Sequence, residues 1–158
     1  MRRTTNSEKR FFTVEEANKS LPLVRVIVDD LAQLSREVIE RRERLSVLMD
    51  GRDQDERGPY REELTQIEEE LEKDSRRLQE YVEELRELGV EPKNGTEGLV
   101  DFPALIDGRE VYLCWKLDEP EVLFWHEQDA GFAGRQSLTA GSVAGDSSLG
   151  EDDGSYDS

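Results

Sequence analysis

Cysteine is almost missing from this 158-residue chain: Cys114 stands alone, so no internal disulfide can form and no cysteine-rich metal motif exists. That usage fits a reducing compartment, and a cytoplasmic location is expected. Long apolar runs are missing too. No stretch approaches the ~20 residues that span a bilayer. The first twenty residues, interrupted by Arg2, Arg3, Glu8, Lys9 and Arg10, hold no apolar signal-peptide core. Positive charge is scarce, with 21 Lys and Arg against 38 Asp and Glu for a formal charge of −17. Such a balance repels phosphate backbones and anionic lipids, so neither nucleic acid nor a membrane is an expected partner. Hydrophobic residues reach only 35%, which limits the chain to one small core.

What is abundant is charge, and it is unevenly placed. Leu21 to Met49 balances five acids with five bases, Tyr60 to Leu88 carries eleven acids and five bases, and Gln136 to Ser158 has five acids and no base. The last segment is mostly Gly, Ser and Asp with isolated apolar residues. It cannot bury enough surface to offset the entropy of ordering it, so 136–158 is expected to be a disordered acidic tail. With residues 1–10 as a flexible N-terminus, 11–135 remains as a single domain.

Thr13-Val14-Glu15-Glu16 has the form of a capping box, in which hydroxyl and carboxylate satisfy each other's backbone N–H groups. Ser20 offers a second start, with Pro22 tolerated in the first turn, so a short turn kinked into a long helix is expected. Beyond it, Val24, Val28, Leu31, Val38, Leu45 and Leu48 recur at three- and four-residue spacing. Leu64, Ile67, Leu71, Leu78, Val82, Leu85 and Leu88 do the same. Turn chemistry separates them in GRDQDERGP, residues 51–59. Folding back near residue 54 sets Val24 against Leu85, Val38 against Leu71 and Leu45 against Leu64. The expectation is a coiled-coil-like antiparallel helical hairpin over 20–88, with each helix about 43 Å long at ~1.5 Å per residue. Arg25 should then fall near Glu84 and Arg41 near Glu68.

At Leu88-Gly89-Val90 the helix has its closing glycine, and Pro92 prevents continuation. The rhythm then changes to three apolar, β-branched and aromatic runs near 99–106, 109–117 and 121–127. The fold class is therefore α+β, with a small antiparallel three-stranded meander over 99–127 after the hairpin. An Asp107-Gly108 turn sets Phe102 opposite Leu113, Ala104 opposite Val111 and Val100 opposite Trp115. A second two-residue turn at Asp118-Glu119 would put Trp115 opposite Val122 and Leu113 opposite Phe124, making one face apolar. Asp101 and Cys114 become neighbours on the other, mixed face. Phe11 and Phe12 are placed to pack on the apolar face or add an edge strand.

The segments FFTVEEANKSLPLVR, GLVDFPALIDGREVYLCW and EPEVLFWHEQDAGFAGRQSL together resemble a bacterial family known as domain of unknown function 2203, over Phe11 to Leu138. The resemblance implies small cytoplasmic proteins with the same helix-then-strand order, and it implies no particular activity.

The densest cluster of chemically capable residues is Trp125-His126-Glu127-Gln128-Asp129, followed by Gly131-Phe132-Ala133-Gly134-Arg135. His126 is the only histidine, the residue type whose ordinary range lies nearest neutral pH. Trp125, His126, Asp129 and Arg135 are the candidate binding residues. No catalytic residue, metal ligand or cofactor is assigned. On the expected register His126 follows Val122 and Phe124 onto the core face. It reads there as a buried, hydrogen-bonded histidine, away from Cys114, which then has no activating base. Arg135 behind a glycine-rich turn pairs most simply with Asp129, although GFAG plus an arginine is also able to hold an anion.

Two function classes follow. The first is a non-enzymatic helical interaction or scaffold module, pairing with itself or another helical protein because two helices on one seam bury little. The alternative is a small-molecule- or metal-binding enzyme with its site around His126, which needs those side chains to converge in one place.

Overall fold

The computed structural model describes residues 10–51 and 59–138; the expected hairpin turn and most of the acidic tail lie outside them. Two helices, α1 (Val14–Gly51) and α2 (Pro59–Glu87), precede five strands. The strands are β1 (Glu91–Asn94), β2 (Leu99–Ile106), β3 (Arg109–Lys116), β4 (Phe124–Glu127) and β5 (Gln136–Ser137). They form one sheet in the order β1-β2-β3-β4-β5 with every neighbouring pair antiparallel. The class is α+β, with five strands where three were expected.

The capping box forms as the sequence predicts: Glu16 N–H donates to Thr13 Oγ1 (3.0 Å) and Thr13 N–H to Glu16 Oε1 (3.1 Å). The second start at Ser20 does not. α1 runs unbroken through Pro22, and the Ser20 hydroxyl donates back to the Ala17 carbonyl instead of capping a new helix. Leu21, Val24, Val28 and Leu31 of α1 share one buried cluster with Leu85 of α2. Farther out, Arg44 pairs with Glu63 and Arg41 with Glu70 and Asp74, so the helices run in opposite directions along each other. Arg41 reaches the turn beyond Glu68, and Arg25 leaves Glu84 for the sheet. α2 closes at Gly89 (φ +91°), where Val90 N–H donates to Leu85 O (2.9 Å).

Asp107 (φ 58°) and Gly108 (φ 77°) both take left-handed conformations, as a two-residue hairpin turn requires. The predicted pairs Val100–Trp115, Phe102–Leu113 and Ala104–Val111 form, and all six side chains are buried. They pack with α1 in one core. Phe12 joins this apolar layer edge-on to Phe102 (5.1 Å between ring centroids). Its N–H donates to Pro103 O (2.7 Å), covering the edge of β2 beyond the end of β1. β1, sequence EPKN, escapes a sequence reading because it is short, polar and carries a proline, all features of an edge strand. β5 lies within the stretch expected to be disordered, so the fold extends to Leu138, whose N–H donates to Leu123 O (2.8 Å).

The second strand connection departs most from expectation. β4 begins at Phe124, and its register is Cys114–Phe124, Leu113–Trp125 and Tyr112–His126. Leu113 therefore faces Trp125 where Phe124 was expected, and a slip of one residue turns every β4 side chain to the other face. The cause is the connection 117–123, which α1 holds. Val122 N–H donates to Asn18 Oδ1 (2.7 Å), and Arg25 donates to the Glu119 and Pro120 carbonyls (3.5 and 3.2 Å) while lying 5.2 Å from the Trp115 ring centroid. Inside the connection, Trp115 Nε1–H donates to Glu119 O (3.0 Å) and Lys116 N–H to Glu119 Oε1 (3.0 Å). A two-residue turn cannot make these contacts.

Candidate functional site

The slipped register moves His126 from the helix-facing side to the outer face, beside Asp101 of β2 and Cys114 of β3. All three are buried, at 1% (Asp101), 1% (Cys114) and 3% (His126) exposure. One donor atom from each lies within 4.8 Å of the other two.

The histidine's protonation follows from its partners. Nδ1 lies 2.7 Å from the Glu127 carbonyl oxygen, which can only accept, so Nδ1 carries the hydrogen. Nε2 lies 3.0 Å from Asp101 Oδ1, and one proton is shared across that contact. Burial raises the Asp101 carboxyl above its ordinary range, opposed by His126, Lys93 and Cys114, each of which favours the charged form. Asp101 Oδ2 is buried with no hydrogen-bond partner. Burial, reinforced by the Asp101 charge, pushes the Cys114 thiol up to about 12, so it is protonated at neutral pH despite the Arg135 guanidinium nearby.

Arg135 stands at the edge of the cluster. It pairs with Glu119 (2.8 Å), not with Asp129, and stacks 4.0 Å from the Phe124 ring centroid and 4.5 Å from that of Phe132. Its Nε is buried without a hydrogen-bond partner. The Tyr112 ring lies 5.5 Å from the His126 ring, and Lys93 sits 5.5 Å over Tyr112.

Of the four residues singled out in the sequence, His126 and Arg135 come to this place. Trp125 pairs with Leu113 and packs against the helix-facing core, and Asp129 is exposed. Asp101, Cys114 and Glu119 were not assigned to the site. The first two were expected as cross-strand neighbours, but the wrong β3–β4 register placed His126 on the opposite surface.

Chemically, the arrangement does not build a thiol nucleophile. A Cys–His relay needs one ring nitrogen free for the thiol proton; here both nitrogens are engaged, one by Glu127 O and one by Asp101. The donor set suits a cation instead: carboxylate oxygen, thiolate sulfur and imidazole nitrogen are all zinc ligands, with bonds of about 2.0–2.3 Å. Ligand atoms around a tetrahedral zinc then stand roughly 3.3–3.8 Å apart, so side-chain adjustments of about 1 Å suffice. The Nδ1–H hydrogen bond to a backbone carbonyl is the outer contact that fixes a metal-binding histidine in the tautomer offering Nε2.

A small α+β protein with a buried Asp–Cys–His cluster on the outer face of a five-stranded meander is the class these observations define. A family model described as an uncharacterized conserved protein, DUF2203, matches residues 10–138, and the chain belongs to that family. Neither the curated proteins nor the solved structures contain a match. Among the described residues, no helix is long and apolar enough to cross a membrane.

Proposed function

We propose that the protein binds a zinc-class divalent cation through Asp101, Cys114 and His126. The observation that carries this reading is convergence. Three donors of three chemical types, from three adjacent strands, meet in a buried place where the histidine tautomer is already set and one carboxylate oxygen lacks a partner. A cation there replaces the shared Asp101–His126 proton and the thiol proton, and its charge offsets the burial that keeps Cys114 protonated. Three protein ligands leave a fourth position for another group, the composition of exchangeable rather than closed zinc sites.

The test is calorimetric titration of Zn2+ into the full chain with excess Mg2+ present to occupy surface carboxylates. One equivalent is expected to bind tightly, with affinity reduced at least about tenfold in Cys114→Ala and in His126→Ala. Equal affinity in the wild type and both variants would assign the binding to surface acids and end this reading.

A second reading, the non-enzymatic interaction module, is supported by Leu23 and Val26, which stand 52% and 59% exposed one turn apart on α1. Light scattering on the wild type and a Leu23→Glu/Val26→Glu variant tests it. A dimer that becomes a monomer supports the module, and a monomeric wild type counts against self-association.

A further inference from the structure

Around the buried cluster the molecule runs against its own charge. In a chain of formal charge −17, two cations act on the Asp101–Cys114–His126 group, Lys93 on Asp101 and Arg135 on Cys114, and a third, Lys116, follows Cys114 by two residues on the same strand face; each is laid on an aromatic ring. Lys93 sits over Tyr112, which itself contacts the His126 ring. Lys116 lies 5.9 Å from the centroid of Phe132, the ring that Arg135 also stacks on. Neither lysine ammonium is ion-paired to a described residue, whereas Arg25, Arg41, Arg44, Arg86 and Arg109 are tied down by carboxylates or carbonyls. Arg135 is only partly occupied. One terminal nitrogen holds Glu119, and Nε–H is buried, with no partner at hydrogen-bond distance, on a guanidinium that favours the Cys114 thiolate.

A buried guanidinium N–H without an acceptor is costly in a folded protein, and two ammonium groups, one over Tyr112 and one near Phe132, supply point charges without directional demands. The aromatic rings hold all three cations in place without neutralising them. What these three cations lack is a shared, negatively charged hydrogen-bond acceptor.

We propose that the outer face of the sheet binds a small oxyanion, of carboxylate or phosphate chemistry, against Arg135, Lys93 and Lys116. This rests on the cation reading above in one respect: the oxyanion occupies the fourth position of the cation held by Asp101, Cys114 and His126. The Arg135 Nε–H donates to one oxygen, and the two ammonium groups offset the remaining charge. Glu119 is a positioning residue, since its carboxylate fixes Arg135 while also accepting from the Lys116 backbone N–H.

Two titrations of the full chain separate this proposal from the cation reading. Co2+ is titrated first, its visible absorption reporting the ligand set. Inorganic phosphate and, separately, acetate are then titrated into both the Co2+-loaded and the metal-free chain, followed by absorption and by heat. The expected result, with Co2+ saturating in every variant, is a saturable change of the cobalt spectrum by at least one of the two anions, weakened at least about tenfold in Arg135→Gln and in Lys93→Gln/Lys116→Gln. Arg135→Lys keeps the charge and the fold but removes the Nε–H, and should weaken the anion by an intermediate amount. Stronger binding of phosphate or of acetate identifies the source of the oxyanion. Cobalt binding with no anion response, or the same response in every variant, overturns this proposal and leaves the cation reading standing. Anion heat without cobalt binding removes the cation and the fourth-position role and keeps the Arg135–lysine site. Neither signal rejects both.

Discussion

His126 shows how much of a residue's chemistry is set by two neighbours. The Glu127 carbonyl fixes its hydrogen on Nδ1, and Asp101 then shares a single proton with Nε2. Burial raises the Asp101 carboxyl while His126, Lys93 and Cys114 oppose that rise, so the stability of an amide variant reports where the shared proton sits. Asp101→Asn keeps the shape and donates an amide N–H to Nε2. Its unfolding free energy in urea should change by less than about 1 kcal/mol, whereas breaking a true buried ion pair costs about 3–5 kcal/mol; a loss of the larger size would make the pair ionic. The same variant should lose Zn2+ binding. For Cys114 the sign follows from a native value of about 12 against an ordinary 9.0. Between those limits the unfolded chain gives up a proton that the native chain keeps, so stability falls as pH rises from 9 toward 12. The slope is at most about 1.4 kcal/mol per pH unit. Urea titrations across that range should show a shallower decline in Cys114→Ala than in the wild type; parallel curves would contradict the buried-thiol account.

At the scale of elements, the amphipathic helices, the capping box and the Asp107-Gly108 hairpin were all legible because each depends on residues close in sequence. The register between β3 and β4 was not. It depends on Asn18 and Arg25, about a hundred residues earlier, gripping the 117–123 connection, and no local pattern announces such a contact. β1 was missed for a related reason: an edge strand needs only backbone pairing, so EPKN shows no apolar alternation. Arg25→Ala removes two hydrogen bonds and the stacking on Trp115, and should cost about 1–2 kcal/mol by thermal melting. Amide exchange in 117–123 should also accelerate; unchanged exchange there would mean that the connection holds itself. Gly98 sits at φ +70°, and a Cβ at that position would lie 2.7 Å from Leu117 Cβ and 3.1 Å from Val28 Cγ1. Gly98→Ala should therefore lose at least about 1–3 kcal/mol from backbone strain, before Leu117 is displaced. A smaller loss would show that β2 shifts freely at its start.

For the whole molecule, the sequence supported the α+β class and the order of helices before strands, and it named two of the residues that meet in the cluster. It did not bring them together, because a site assembled from β2, β3 and β4 exists only once both registers between them are fixed. One wrong register turned a converging set into residues on two surfaces. The fold that corrects it is a two-layer arrangement in which the helix pair and the apolar sheet face share a core, leaving the outer face for Asp101, Cys114, His126 and the cations that act on them. If a cation binds there, it binds the folded chain preferentially, and Zn2+ at a hundredfold excess over its dissociation constant should raise stability by about 2.7 kcal/mol. The most direct measurement is zinc X-ray absorption on the full chain loaded with one equivalent. The predicted result is one sulfur at about 2.3 Å with nitrogen and oxygen neighbours at about 2.0–2.2 Å, the sulfur lost in Cys114→Ala. A shell of nitrogen and oxygen alone in the wild type would contradict the assignment of Asp101, Cys114 and His126 as the cation's ligands.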